Sequence, residues 1–243
     1  IAFVDDDTRI RIVNLDKKST ITIDNAGNNL ERGGMGITWS PDSKWLAYSK
    51  SGDNSMKQIK VWSLQNNTVT AITDPFADSF SPAWDQDHKH LYFLASTDVA
   101  LGSGWANTSS MSANPNYAAY VINLSKEDPS PFKLKSDEEV IKEDKKEDKS
   151  KDKKPADKKE KLVQIDFDGM DRRIMALPLR GSFRSMTAGP EGTVFISEGA
   201  TLQKFDLKKM KAVEFGKGMR IAAISSCLLY TSDAADDSLR VDL

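Results

Sequence analysis

His88 and His90 are the only histidines in this chain of 243 residues, and they stand two positions apart in Trp84-Asp85-Gln86-Asp87-His88-Lys89-His90. A histidine beside a serine and a carboxylate is the general base of nucleophilic hydrolysis, and histidines grouped with aspartates are metal ligands. Neither chemistry fits this spacing. Both histidines fall in or beside a hairpin turn, where turn polarity accounts for them, and strand alternation leaves the pair, with Asp85 and Asp87, short of a clear third ligand. Asp5-Asp6-Asp7 has the carboxylates of a calcium loop but not its glycine or its downstream glutamate, and reads as a turn. Arg172-Arg173 has the donors to grip a peptide carboxylate in bidentate fashion, although paired charges commonly open a strand. No phosphate-cradling glycine loop is present. The catalytic, cofactor-binding and metal-binding assignments are therefore none.

The elements around these residues are short strands. Ile37-Thr-Trp-Ser-Pro-Asp-Ser-Lys-Trp-Leu-Ala-Tyr48 reads as strand, polar turn, strand, and Pro82-Ala-Trp-Asp-Gln-Asp-His-Lys-His-Leu-Tyr-Phe93 repeats it. Trp39 and Trp84 are about 45 residues apart, the length of one four-stranded propeller blade. Pro41 presets the backbone for a type I turn, and Asp42 and Ser43 accept the bends that follow. Trp39, Trp45 and Trp84 are expected to fill space between neighbouring blades rather than to stack on a ligand.

Ile1–Val4, Arg9–Asn14 and Thr20–Asp24 read as the last three strands of one blade, with Ile10 and Ile12 alternating against Arg9, Arg11 and Val13. Gly34–Trp39, Trp45–Ser49, Lys57–Ser63 and Thr68–Thr73 form the next unit, and Phe80–Trp84, Leu91–Ser96 and Ala118–Leu124 a third, with Pro131–Lys135 leading out of it. Phe183–Ala188, Thr193–Ser197, Leu202–Asp206 and Ala212–Phe215 make a fourth, in which Gly189-Pro-Glu-Gly192 replaces the Ser40-Pro-Asp-Ser43 turn and Ala188 the tryptophan. Arg220–Ile224 opens another. The fold class expected is all-β, an incomplete β-propeller of about four blade units.

Residues 136–161 are almost wholly Lys, Glu and Asp. They cannot bury enough apolar surface to offset chain entropy and are expected to form a disordered insertion within a blade. Interleaved acids exclude a basic arm for nucleic acid, as does the net charge of -2. A long polar loop over 101–116 carries Trp105, with Tyr117 beside it; such loops contact peptides or pack on their own domain. No apolar run approaches the roughly 20 residues that span a bilayer. Absence of an initiator Met and a start inside a strand suggest a missing N-terminus. Cys227-Leu-Leu-Tyr-Thr-Ser-Asp-Ala-Ala-Asp-Asp237 matches the translation of a transposase adapter used in sequencing libraries, so 227–243 are read as an adapter-derived tail and 1–226 as the propeller. The lone Cys goes with that tail, which leaves no disulfide or thiolate site in the rest.

WSPDSKWLAYSK at 39–50, SPAWDQDHKHLYFLASTD at 81–98, the SPFKLKSDEE exit at 130–139 and IDFDGMDRRIMALPL at 165–179 together resemble the tricorn protease family and its bacterial homologues, in the region of the second N-terminal propeller. The resemblance spans 1–226 and is carried mainly by the IDFDGM segment after the charged run, since TolB-like and dipeptidyl-peptidase propellers share the WSPD-type repeat. It implies a serine peptidase that trims oligopeptides, with PDZ-like and catalytic domains C-terminal to the propellers. The propeller would gate or guide peptides or unfolded polypeptide, and the full-length protein would form a homo-oligomer. A cytoplasmic location is implied, with the bacterial periplasm or envelope as the alternative. No catalytic role passes to any residue here. The other readings are a non-enzymatic TolB-like scaffold and, more weakly, the propeller of a dipeptidyl-peptidase.

Overall fold

The computed structural model describes residues 1–25, 35–54, 56–98, 115–133, 161–190, 192–219, 221–224 and 230–232. Within these the chain is all-β apart from single 3₁₀ turns. β1 (Ala2–Val4), β2 (Arg9–Asn14) and β3 (Ser19–Asn25) form a three-stranded antiparallel meander. Three four-stranded sheets follow. The second blade is β4 (Thr38–Trp39), β5 (Trp45–Ser51), β6 (Lys57–Ser63) and β7 (Thr68–Ala71); the third is β8 (Asp78–Trp84), β9 (His90–Ser96), β10 (Ala118–Asn123) and β11 (Ile174–Ala176). The fourth is β12 (Ser185–Ala188), β13 (Thr193–Glu198), β14 (Thr201–Asp206) and β15 (Lys211–Lys217), after which β16 (Ile221–Ile224) pairs with β17 (Tyr230–Ser232). Sequential antiparallel pairing within each sheet, repeated along the chain, is the architecture of an incomplete β-propeller.

Strand alternation explains how the blades stack. In β9, Leu91, Phe93 and Ala95 face the second blade, where they and Trp84 of β8 meet Ala47, Ile59 and Val61. Tyr92 and Leu94 face the opposite way, onto Phe183, Met186, Val194, Ile196 and Phe205 of the fourth blade. A blade in the middle of the stack therefore has no polar face, and every residue of β9 is buried. Ile10 and Ile12 of the first blade bury against Met35, Leu46, Tyr48 and Trp62 of the second. The three tryptophans take the expected places. Trp39 packs edge-on to Trp62 between the first and second blades, while Trp45 and Trp84 lie between the second and third.

Turn chemistry repeats with the blades. Residues at one turn position adopt left-handed backbone, Ser43 at φ 57° and His88 at φ 68°. At the far end of the first, second and fourth blades, Asn14, Ser63 and Asp206 each cap the turn that follows by accepting a backbone N–H, and each precedes a leucine.

Two strand assignments differ from the pattern. The expected strand over 34–39 pairs only at Thr38–Trp39, because Gly36 at φ +56° turns the chain and sends Met35 into the core. The fourth strand of the third blade is Ile174–Ala176, reached only after the charged segment; three residues are too few to show an alternation. Of the segment 136–161, all but Lys161 lies outside the described residues, as do Trp105 and most of 227–243.

Candidate functional site

The histidine turn resolves into a network centred on Asp85, whose side chain is fully buried. Asp85 Oδ1 accepts the Asp87 N–H at 3.0 Å and, from the next blade, the Gly192 N–H at 2.9 Å. Asp85 Oδ2 accepts the Tyr92 hydroxyl. Burial pushes the Asp85 carboxyl above its ordinary range, and the neighbouring Asp87 adds to that. Burial also opposes ionisation of Asp87, but the His90 imidazole and the backbone N–H groups of Lys89 and His90 outweigh it and hold Asp87 low. Asp87 pairs with His90 Nδ1.

Metal-ligand types thus come together here, with single donor atoms of Asp85, Asp87 and His90 within 4.8 Å of one another. This differs from the expectation that the histidine pair lacks a third partner, since the group takes two aspartates and leaves His88 out. The two aspartates already accept hydrogen bonds from Tyr92, His90 and backbone N–H groups. What the arrangement does chemically is tie the third blade to the fourth.

The other polar candidates are likewise committed to structure. Asp5 accepts the N–H of Asp7 and of Arg9 and pairs with Arg9 and Arg11, which makes the Asp5-Asp6-Asp7 run a hairpin turn. The Arg173 guanidinium donates to the carbonyls of Asn123, Asp166 and Asp168. Tyr117 packs edge-on to Phe80 at 4.9 Å and donates its hydroxyl to Asp78 at 2.7 Å.

The IDFDGM segment has a part that its sequence does not disclose. Val163 donates its N–H to Asp42 in the second-blade turn at 2.8 Å, and Trp45 Nε1 donates to the Val163 carbonyl. Asp166 accepts from Ser125 and Lys126 of the third blade. Residues 161–173 therefore bracket two blades.

Under that bracket lies a surface cleft of about 530 Å³ between the second and third blades. Phe93 and Tyr120, stacked at 5.5 Å, stand in its wall with Phe167 and Met170 of the bracket. Asp74 and Asp171 are also in its lining. Phe76 lies on the same loop as Asp74 and is 74% exposed. Residue types in a loop gave no signal for this cleft, because its wall joins positions about 100 residues apart in the chain.

Comparison with known proteins gives the arrangement a family. Residues 1–240 match the domain described as the tricorn protease second beta propeller domain. The chain belongs to that family. Tricorn protease homolog 1 of Streptomyces coelicolor is 29% identical over 179 residues, which is 68% of this chain and 15% of the relative. The tricorn protease homolog of Saccharolobus solfataricus is 37% identical over 57 residues, covering 24% of this chain and 5% of that protein. The chain therefore spans a small part of these tricorn relatives. Among solved structures, the tricorn protease superposes with a TM-score of 0.63 at 20% identity, over 94% of this chain and 23% of that one. TolB from Acinetobacter baumannii gives 0.52 at 14% identity, over 91% and 42%. At these identities both structures speak for the fold alone.

Proposed function

We propose that this tricorn-family propeller segment receives oligopeptides or unfolded polypeptide and guides them to serine-peptidase catalytic domains of a longer parent protein. The match of residues 1–240 to the tricorn second propeller carries this reading. The geometry supports it: stacked blades with buried interfaces give a continuous wall, and the His90 ring is paired with Asp87 in the turn. In the same reading the parent carries a PDZ-like module and assembles as a homo-oligomer. The scaffold alternative draws on the TolB likeness, which is one of fold.

The test is peptide hydrolysis by the 243-residue chain and by the protein translated from the complete gene. The expected result is turnover by the complete protein and none by this chain. Turnover by this chain that disappears on substituting His88 or His90 would overturn the assignment of catalysis to other domains.

A further inference from the structure

We infer that the cleft between the second and third blades is a subsite for a cationic side chain, a Lys or Arg of an extended peptide. The inference takes the peptide as occupant from the function proposed above; the preference for a cation comes from the lining itself.

A cleft of about 530 Å³ falls in the range that holds a small ligand or one to two side chains. Its wall is aromatic and apolar, with the stacked Phe93 and Tyr120 on one side and Phe167 and Met170 from the bracket on the other. Such a wall suits the methylene stem of a long basic side chain, and ring faces attract a cation within about 6 Å. Two carboxylates complete the lining. Asp74 and Asp171 come from different elements, the loop after β7 and the 3₁₀ turn over Met170–Arg173. Among the described residues neither takes part in an ion pair. Asp74 is held in place by accepting the Phe76 N–H at 2.7 Å through Oδ1. A carboxylate pair beside an aromatic wall repels an acidic peptide and attracts a basic one. Phe76, exposed on the Asp74 loop, offers an apolar contact to a residue flanking the cation.

Two fluorescein-labelled heptapeptides of Gly and Ser, identical except for a central Lys or Glu, provide the probe, read by fluorescence anisotropy against the 243-residue chain. The Lys peptide is expected to bind about tenfold more tightly, the scale of one or two exposed ion pairs with an aromatic contact. The preference should shrink as ionic strength rises from about 0.1 M to about 1 M, where the screening length falls from about 10 Å to about 3 Å. Asp74→Asn combined with Asp171→Asn preserves shape and should bring the two peptides to within about twofold of each other. Ala77→Trp, which fills the cleft, should weaken the Lys peptide. Equal affinity of the parent chain for the two peptides would overturn the inference, as would a preference that survives the double substitution. Self-association through the cleft, seen as sedimentation that the Lys peptide does not reverse, would also overturn it. Because these peptides are scored for binding and not for cleavage, a negative result leaves the peptidase reading standing.

Discussion

Asp85 carries an ionisable carboxyl to a place where no solvent reaches it, and three hydrogen bonds hold it there. Because its native pKa lies above the ordinary 3.8, the protonated carboxyl is the form that the fold favours. Stability from this group is therefore fully present below about pH 3.8 and is lost as pH rises through the native value. Asp85→Asn keeps the Oδ1 acceptor for Gly192 and removes the buried charge, while the Tyr92 hydroxyl can turn to accept from the new amide. The variant should match or exceed the parent in urea melts at pH 7, with a smaller advantage at pH 4. Asp85→Ala leaves the Gly192 N–H and the Tyr92 hydroxyl without their partner and should cost about 1–3 kcal/mol. An Asn variant that loses as much as the Ala variant would mean that the ionised carboxylate itself stabilises the site.

At the scale of elements, local chemistry was legible and distant pairing was not. Pro41, Asp42 and the tryptophans around them announce a hairpin, and Ile10 and Ile12 announce a buried face, because neighbours a few residues apart set both. Tyr48 and Trp62, which fill the first interface beside Trp39, give no such signal, since either reads equally well as an ordinary strand residue. The partner of Asp42 is Val163, 121 residues away, and nothing in either segment identifies the other. The same separation hid the cleft, whose walls converge only once the bracket is seated. Asp42→Ala deletes the acceptor for the N–H groups of Val163 and Lys44 and for the Ser40 hydroxyl. It should cost about 1–3 kcal/mol and release the near end of the bracket. Hydrogen exchange read by mass spectrometry should show faster exchange across 161–167, with the β9–β10 pairing unchanged. Exchange that stays slow at Val163 would mean that Trp45 and Phe167, packed edge-on at 6.0 Å, hold the segment without the carboxylate.

Across the whole molecule the blades join through two kinds of contact, an apolar layer and a carboxylate that reaches over the boundary. Asp24 of the first blade accepts from Tyr48 and Lys50 of the second. Asp78 of the third accepts the Lys57 N–H of the second at 2.7 Å, and Asp85 of the third accepts the Gly192 N–H of the fourth. In a stack whose units touch only their neighbours, each boundary responds separately to conditions. Acid should therefore discriminate between them. Burial opposes ionisation of Asp24, yet Lys50 and the Tyr48 hydroxyl hold its pKa below the ordinary 3.8. Its contribution is present above that value and is lost as pH falls through the native pKa. Asp85 shifts the other way, so the boundary that it spans loses nothing from this group on protonation. Lowering the pH from about 5 to about 3 should reduce hydrogen-exchange protection, after correction for intrinsic rates, more across 9–25 than across 192–207. Asp24→Asn should reduce that difference, because the carboxylate that titrates at this boundary is gone while its shape is kept. Protection lost in equal measure at the two ends, or an Asn variant as acid-sensitive as the parent, would show that the apolar layers alone determine how the blades come apart.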